Sequence, residues 1–423
     1  MNFTEKQINT SYQEAREIYA ANGVDTEAVL QQLSGVPISL QCWQGDDVGG
    51  FEVKDGPLSG GGIMATGNYP GKARNGDELR QDLDQALQLI PGKTRVNLHA
   101  IYAETGSQTV GRDELEIWHF QNWVDWAAAQ AIGLDFNPTL FAHPLAESGF
   151  TLSNKVESIR RFWVEHVKRS REIAAAMGAA LDSPAVNNLW IPDGSKDFPI
   201  DRQGPRNRLK QSLDEIYSRA FPGGNLIDSV ESKLFGIGSE AYVVGSHDFY
   251  LGYAAQNQKV LCLDMGHFHP TESIADKISA LLAFLPQLLI HVSRGMRWDS
   301  DHVAILNDDL LALVQEIRRC EAWERVFFAL DFFDASINRL IAWVTGARAL
   351  RKALLIALLE PTAQLRQEEE AGDYGRRLAL LEEFKGLPWG AVWNQYCLRC
   401  NVPPGGQWLT KVREYEVNVL AKR

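Results

Sequence analysis

The stretch LLIHVSRGMRWDSDHV, residues 288–303, begins as an apolar run typical of a buried strand and then turns abruptly into charge. Its polar part contains His291, Arg294, Arg297, Asp299, Asp301 and His302. A core strand that leads directly into ionisable side chains is typical of a catalytic strand in an α/β barrel, because such barrels build their active sites at the carboxyl ends of the strands. The stretch therefore predicts a barrel whose rim carries the chemistry.

Seven more short apolar runs have the character of strands, and amphipathic stretches separate them. In chain order these runs end at or surround Trp43, His99, Asn137, Trp190, Glu231, Asp264 and Asp331. Helical spacing is clearest over residues 76–90, 158–178, 207–221, 274–286 and 309–320. Eight strand signals that alternate with helices favour a (β/α)8 TIM barrel, an α/β fold, over an open sheet.

The barrel pattern leaves helical segments at both ends of the chain. We expect residues 1–359 to form the barrel together with an N-terminal helical arm (1–35). Residues 360–423 are expected to form a C-terminal helical extension. Neither an internal repeat nor a low-complexity segment interrupts this organisation.

Composition narrows the classes of partner. The 423 residues include no apolar run long enough to cross a bilayer, and the stretch MNFTEKQINTSYQEAR lacks the apolar core of a signal peptide. We therefore expect a cytoplasmic protein with no membrane partner. A formal net charge of −12 without basic runs argues against a nucleic-acid partner, because binding to phosphates needs clustered Lys and Arg.

The cysteines do not indicate a disulfide framework, since the chain has five of them over a long sequence. Cys397 and Cys400 have the spacing of a redox or zinc pair. No second Cys or His pair follows them, so we interpret both as packed or half-exposed thiols.

A group of ionisable residues lies on the last four predicted strands, each embedded within its apolar run. These residues are Glu231, Asp264, His291 and Asp331. We expect them at equivalent depths of consecutive strands, so that their side chains converge at one rim. Two unneutralised carboxylates about 4 Å apart cost roughly 4 kcal/mol at the effective dielectric of a protein site, so cations must hold such a group together.

The ligand count fits two divalent ions. The first is expected to be held entirely by protein, and therefore to be structural, through Glu231, Asp264, His291 and Asp331. The second has fewer ligands, which leaves positions for water and substrate, and is expected to be held by His267, Asp299 and Asp301. Asp264 is placed to bridge the two. Carboxylates with one imidazole per ion suit Mn²⁺, Mg²⁺, Co²⁺ or Zn²⁺.

Other residues near the predicted rim suggest a polar substrate of sugar size. Trp43 and Trp190 lie at strand ends, where a flat apolar wall meets the C–H face of a sugar. Lys233, two residues after Glu231, either donates to a substrate oxygen or neutralises charge. His99 is expected to assist opening of the sugar ring, and a hydrogen-bonded rim histidine is its alternative interpretation.

Two flanking features are interpreted more simply. His269 and His302 are expected to support the ligands or to belong to the core. The stretch LSGGGIMATGNYPGKARN, residues 58–75, lacks the spacing of a phosphate loop and is interpreted as a flexible loop after the first strand, with a lid over the rim as its expected role.

Several motifs along the whole chain resemble one family. They are CWQGDDV, GIMATGNYPGKARN, NLHAIY, GLDFNPT, NLWIPDG, VESKLFGIG, LDMGHFHPTE, HVSRGMRWDSDHV and LDFFDASINR. The chain resembles the L-rhamnose isomerases, metal-dependent aldose-ketose isomerases with a TIM barrel. The resemblance implies the same metal ligands as the ligand count. The structural ion would be held by Glu231, Asp264, His291 and Asp331, and the catalytic ion by His267, Asp299 and Asp301.

The resemblance also implies an activity and an assembly. It implies interconversion of L-rhamnose and L-rhamnulose, the first step of rhamnose catabolism, by a cytoplasmic homotetramer. It implies Mn²⁺ at the catalytic site, with Co²⁺ or Mg²⁺ as alternatives, and a structural Zn²⁺ or Mn²⁺. We expect His99, Lys233 and Asp331 to act in catalysis, and Trp190, His99 and Lys233 to bind the sugar.

Three other classes of function share parts of this pattern. A barrel phosphodiesterase or endonuclease uses similar ligands but needs a basic groove, which the chain lacks. An aldolase or epimerase needs a proton-transferring base, for which Lys233 stays a candidate. A non-catalytic binding protein has little use for an open-sided metal. Because no carboxylate is obviously free of metal to act as a base, a two-metal-assisted hydride shift is favoured over an enediol.

Overall fold

The computed structural model describes residues 3–52, 65–221, 223–235, 239–296 and 301–423. In this part of the chain the strands are β1 Ile38–Gln41, β2 Thr94–His99, β3 Gly133–Asn137, β4 Ala185–Leu189, β5 Gly194–Ser195, β6 Leu226–Glu231, β7 Tyr242–Val243, β8 Val260–Asp264, β9 Leu288–Val292 and β10 Val326–Leu330. Eight of them pair in parallel and close into a barrel in the order β1-β10-β9-β8-β6-β4-β3-β2. The predicted TIM barrel is confirmed, and each of the eight sequence runs supplies one barrel strand. The short antiparallel pair β5–β7 was not predicted.

The helices of the described ranges are α1 Glu5–Ala21, α2 Thr26–Gly35, α3 Gly76–Leu87, α4 Gln121–Gln130, α5 Glu157–Ala180, α6 Gln203–Ile216, α7 His247–Asn257, α8 Ala275–Leu282, α9 Asp308–Arg319, α10 Arg339–Leu358, α11 Thr362–Glu370, α12 Tyr374–Lys385, α13 Trp389–Arg399 and α14 Trp408–Asn418. One α-helix of the set α3–α10 follows each barrel strand. Within these ranges, no helix combines the length and the apolar character needed to span a membrane.

Helix α9 illustrates why these segments are helical. Asn307 caps its first turn by accepting a hydrogen bond from the backbone N–H of Leu310. Acidic residues occupy the first turn and arginines the last, as the helix dipole favours. Its buried face consists of Leu310, Leu313, Val314 and Ile317, spaced by three or four residues.

The two ends of the chain pack on each other and on the barrel. Helix α1 packs against α13, and α2 packs against α10. The fully buried Arg351 of α10 donates to the backbone carbonyls of Leu33, Val36 and Lys93, which fixes the arm against the start of the barrel. The division of the chain at residue 359 stays a prediction.

The barrel interior has an apolar layer below its rim, formed by Val186, Val260, Cys262, Leu289 and Ala329. The ladder register corrects one expectation about the residues above it. Glu231 lies opposite Cys262, and Asp264 lies opposite His291, so Glu231 is two residues lower along the ladder than Asp264. The strands of a barrel tilt against its axis, and this stagger brings residues of different register to one rim.

Two helical glycines provide a matched test of packing between α5 and the barrel. A Cβ at Gly178 would lie 2.1 Å from the carbonyl oxygen of Asn225, whereas a Cβ at Gly252 would have no atom within 4 Å. We expect Gly178→Ala to lower the free energy of unfolding by about 1–3 kcal/mol, because backbone must move. Gly252→Ala should raise it by up to about 1 kcal/mol, because alanine favours the helix. Urea titrations of both variants check this, and equal effects would contradict the packing.

Candidate metal centre and sugar site

Four residues at the carboxyl ends of β6, β8, β9 and β10 bring their ligand atoms together. They are Glu231, Asp264, His291 and Asp331, and one ligand atom from each lies within 4.8 Å of all the others. The Nδ1 atom of His291 lies 3.0 Å from Asp331 Oδ2, 3.4 Å from Glu231 Oε2 and 3.7 Å from Asp264 Oδ2. This group of four residues, the inner donor group, is what the predicted structural ion requires.

A second group lies beside the first and shares one member with it. Ligand atoms of Asp264, His267 and Asp301 lie within 4.8 Å of one another. Asp264 therefore belongs to both groups, which is the geometry that a bridging carboxylate requires. Asp299, the remaining predicted ligand, lies outside the described residues. We call Asp264, His267 and Asp301 the outer donor group.

Backbone constraints hold the outer donor group in place. Arg294 and His302 exchange backbone hydrogen bonds across an isolated bridge, which fixes the chain on the carboxyl side of Asp301. Asp301 itself has a φ of +27°, a conformation uncommon outside glycine. A Cβ at Gly266 would lie 3.0–3.2 Å from side-chain oxygens of Ser293, Asp301 and Asp264, so a side chain there would crowd the carboxylates.

Asp264 and Glu231 each have one carboxylate oxygen that accepts hydrogen bonds from neighbouring protein groups. Asp264 Oδ1 accepts from the backbone N–H of Gly266 at 2.6 Å and from Ser293 Oγ at 2.9 Å. Glu231 Oε2 accepts from Asn188 Nδ2 at 2.5 Å. The other oxygens, Glu231 Oε1 and Asp264 Oδ2, are buried and accept no hydrogen bond, and Glu231 Oε1 lies 3.2 Å from His267 Nδ1. Such atoms fit a divalent cation, since the donors are oxygens and imidazole nitrogens.

The protonation of the inner donor group reflects its charge. Burial raises the pKa of Asp264 to about 7, and the nearby carboxylates act in the same direction. Burial alone would raise the pKa of Glu231, but His291 and His267 outweigh it and the pKa lies below its usual range. Burial alone would lower the pKa of His291, but the nearby Cys262, Glu231 and Asp331 outweigh burial, so this pKa lies well above its usual value. Without a cation the group therefore holds protons, which metal ions would displace.

Three predicted sugar-site residues, Trp43, His99 and Trp190, form a continuous aromatic arc with Phe141, which was not predicted. Lys233, also predicted, lies at the end of this arc. Ring centroids lie 4.6 Å apart for Trp43 and His99, 5.6 Å for His99 and Phe141, and 6.2 Å for Phe141 and Trp190. The Nζ atom of Lys233 lies 5.3 Å from the centre of the Trp190 ring. The arc thus runs from the end of β1 to the chain just after β6, where the inner donor group begins.

His99 is neutral at physiological pH. Its ring is buried, and burial lowers its pKa to about 3 despite the attraction of Glu231. Its Nδ1 atom lies 3.1 Å from the hydroxyl of Thr139, a contact that fixes the ring orientation. A neutral imidazole both accepts and donates a proton, as ring opening of a sugar requires.

The loop after β3, which carries Phe141, is held by residues that the sequence did not reveal. The buried guanidinium of Arg112 donates to the backbone carbonyls of Thr139, Phe141 and Ala142, and forms an ion pair with Glu52. His166 Nε2 accepts the backbone N–H of Thr139 at 3.0 Å. Neither Arg112 nor Phe141 lies in a pattern of charge or spacing that separates it from ordinary surface and core residues.

The segment after β1 begins with a strained turn. Asp47 and Val48 both have a φ of +60°, which is an outlier for a β-branched residue. The buried Arg339 binds both carboxylate oxygens of Asp47 at 2.8 and 2.6 Å, and also the carbonyl of Pro70. Residues 65–75 are described, but residues 58–64 of the predicted lid lie outside the described part of the chain. The lid stays a prediction.

The cysteine pair of α13 makes ordinary contacts. Cys397 is buried and its Sγ accepts from the Arg348 guanidinium at 3.7 Å. Cys400 is half-buried at the end of the helix. Burial raises the pKa of the Cys397 thiol to about 11, which disfavours the thiolate that redox chemistry needs.

Comparison with known proteins gives matches over almost the entire chain. A family model described as L-rhamnose isomerase (RhaA) matches residues 6–423. The L-rhamnose isomerase of Escherichia coli O17:K52:H18 (strain UMN026 / ExPEC) is 57% identical over 417 residues, which cover 99% of each chain. The L-rhamnose isomerase of Salmonella gallinarum (strain 287/91 / NCTC 13346) is also 57% identical, with the same coverage. A solved L-ribulose 3-epimerase superposes with a TM-score of 0.49 at 11% identity, covering 78% of this chain and 97% of that chain.

Acid should destabilise the loop after β3 through His166. Burial lowers the pKa of His166 to about 3, and the ring must stay neutral to accept the N–H of Thr139. In the unfolded state the pKa of His166 is about 6.5, so below that pH the unfolded protein binds a proton that the folded protein does not. The contribution of His166 to the free energy of unfolding is therefore complete above about pH 6.5 and decreases as the pH drops. Between pH 7 and pH 5 this loss is about 2 kcal/mol.

We expect His166→Asn to remove this part of the pH dependence while lowering stability at pH 7. Urea titrations at pH 7 and pH 5 on both proteins, with chelator present so that metal loss does not contribute, provide the measurement. The difference between the two falls in stability isolates His166. An equal fall in both proteins would show that His166 does not stay neutral in the folded state.

Proposed function

Because the chain belongs to the L-rhamnose isomerase family, we propose that it interconverts L-rhamnose and L-rhamnulose, an aldose and its ketose, as the first step of rhamnose catabolism. The observation that carries this proposal is the pair of overlapping donor groups that share Asp264 beside an aromatic arc. An aldose-ketose isomerase has to polarise two adjacent sugar oxygens and to seat the carbon chain against an apolar surface.

The proposed metal assignment follows the two donor groups. Glu231, Asp264, His291 and Asp331 would hold a structural Zn²⁺ or Mn²⁺. His267, Asp299 and Asp301, with Asp264, would hold a catalytic Mn²⁺, for which Co²⁺ or Mg²⁺ are alternatives. When bound, the ions supply positive charge to the oxygens on C1 and C2 of the open-chain sugar. The oxygen and imidazole donors support hard or borderline divalent cations over copper.

The protein residues around the sugar have separate proposed roles. Trp190, with Trp43 and Phe141, offers flat apolar surface to the C–H face of the sugar. Lys233 donates a charged hydrogen bond to a sugar oxygen. His99, held through Nδ1 by Thr139, takes the proton of the O1 hydroxyl and returns it to the ring oxygen as the ring opens. Asp331 contributes to catalysis by orienting His291.

The hydrogen transfer is proposed to be a hydride shift. The hydrogen on C2 moves with its bonding electrons to C1, while the proton of the O2 hydroxyl moves to O1, so that atoms and charge balance. Glu231, Asp264, Asp301 and Asp331 all belong to donor groups. A carboxylate that binds a cation is a poor base, which supports direct transfer over an enediol.

Quaternary structure and location complete the proposal. We propose a homotetramer, and the exposed apolar side chains of Phe198 and Ile200 on the loop after β5 are consistent with a subunit contact. We propose a cytoplasmic location, which the five free thiols support because a reducing compartment keeps cysteines reduced.

Removal of metal should abolish isomerisation and lower the melting temperature, because the carboxylates of the inner donor group then repel one another or must be protonated. Ketose formation from L-rhamnose and a thermal melt are measured before and after chelation. Addition of Mn²⁺ or Co²⁺ to the treated protein should restore both quantities, which excludes irreversible damage. Full turnover in protein whose metal content is zero by elemental analysis would refute the two-ion proposal.

The hydride shift predicts the origin of the hydrogen on C1. In deuterated water, the L-rhamnulose formed early in the reaction should carry the substrate's own hydrogen at C1, because a hydride does not exchange with solvent. NMR of the ketose measures this, and base-catalysed isomerisation without enzyme, which proceeds through an enediol, is the positive control for incorporation. Extensive deuterium at C1 would favour an enediol and make Lys233 the candidate base.

A further inference from the structure

The imidazole of His291 has one nitrogen that the inner donor group does not use. Its Nδ1 atom faces the carboxylates of Asp331 and Glu231 at 3.0 and 3.4 Å. The Nε2 atom, on the other side of the ring, is buried and has no hydrogen-bond partner in the protein. A buried N–H without an acceptor is unfavourable, so this nitrogen needs an explanation.

A cavity of about 30 Å³ inside the barrel has His291 in its wall. Apolar side chains such as Val186 and Leu289 form part of its wall, and its polar members besides His291 are Asn188, Asn97, Ser39, Asp135 and Arg95. Asn188 Oδ1 is a second buried atom without a hydrogen-bond partner. A cavity of this size has room for one or two water molecules, and water occupies such a cavity when polar groups line it.

We propose that this cavity is a water-binding site, and that its water accepts the Nε2–H of His291 and thereby fixes the imidazole tautomer that binds the structural ion. The inference rests on the metal sites of the proposed function. To bind a cation through Nδ1, the ring must lose the proton there, so its single remaining proton lies on Nε2. The water supplies the acceptor that this tautomer needs.

Asn188 connects the water site to a second metal ligand. Its Nδ2 donates to Glu231 Oε2 at 2.5 Å, while its Oδ1 is an acceptor for water in the cavity. One asparagine thus orients Glu231 and holds the water that orients His291. Groups of this kind fix the direction of metal ligands and raise metal affinity by roughly 10- to 100-fold.

Cys262 is the competing acceptor for the Nε2–H of His291. Its thiol lies in the same apolar layer of the barrel, and its Sγ comes within 4.8 Å of ligand atoms of His291 and Glu231. The thiol and the imidazole are close enough to shift each other's pKa, but the contact lacks the distance and angle of a hydrogen bond to His291 Nε2. Sulfur is also a weak acceptor, so water is the better partner for this nitrogen.

The direct test is a crystal structure of the Mn²⁺-loaded enzyme at a resolution that defines internal water. We expect an ordered water within about 3.2 Å of His291 Nε2 and within reach of Asn188 Oδ1. A dry cavity in such a structure would overturn the proposal and leave the isomerase assignment untouched, because turnover and solvent-deuterium content are measured separately.

A second test displaces the water by adding one methyl group to the cavity wall. Val186 lines the cavity, whereas Val260 belongs to the same interior layer but does not line it. We expect Val186→Ile to weaken Mn²⁺ binding at the tighter site by tenfold or more, and Val260→Ile to change it by less than threefold. Free Mn²⁺ measured by electron paramagnetic resonance at equilibrium gives both affinities, with melting temperatures as a check on folding.

Cys262→Ala separates the two acceptors. Its Mn²⁺ affinity should stay within threefold of the unmodified protein, because the water and not the thiol accepts the proton of Nε2. A loss in Cys262→Ala as large as that in Val186→Ile, or equal losses in the two isoleucine variants, would overturn the proposal.

Discussion

Mutual repulsion among buried acidic groups is the constraint on which the rim of this barrel depends. Glu231 and Asp264 are almost fully buried, and Asp331 lies against His291 at 3.0 Å. Carboxylates this close, away from water, need protons or cations. The raised pKa of Asp264 and the raised pKa of His291 are the response of the protein alone to that requirement. Divalent ions neutralise the carboxylates without protons, which is why the same geometry supports a metal centre.

The barrel satisfies this constraint through its surroundings. Strand stagger brings Glu231 and Asp264 to one rim although they differ by two residues in register. Asn188 and Ser293 donate hydrogen bonds to one oxygen of Glu231 and of Asp264, which fixes the orientation of both carboxylates. The aromatic arc occupies the neighbouring part of the rim, so charge and apolar surface lie side by side, as a sugar with both hydroxyl groups and C–H faces requires.

The sequence was sufficient to predict features that depend on local pattern. The eight strands could be predicted because each is a short apolar run bounded by helical spacing, and Glu231, Asp264, His291 and Asp331 could be grouped because each interrupts such a run. Features that depend on tertiary contacts could not. Arg112 and Phe141 act through a loop conformation held by backbone carbonyls, which leaves no mark on residue spacing. The expectation that Glu231 and Asp264 lie at equivalent depths along their strands was wrong. The tilt of barrel strands, which sets this stagger, cannot be inferred from the sequence of one strand.

Anomalous X-ray scattering tests most directly whether two cations occupy the overlapping donor groups that share Asp264. Diffraction data from crystals of protein that was stripped of metal and reloaded with Mn²⁺ alone, collected on both sides of the manganese absorption edge, locate the ions independently of the protein atoms. We expect two anomalous peaks, one among Glu231, Asp264, His291 and Asp331, and one beside Asp264, His267 and Asp301. A single peak, or peaks away from these residues in crystals of active enzyme, would contradict it.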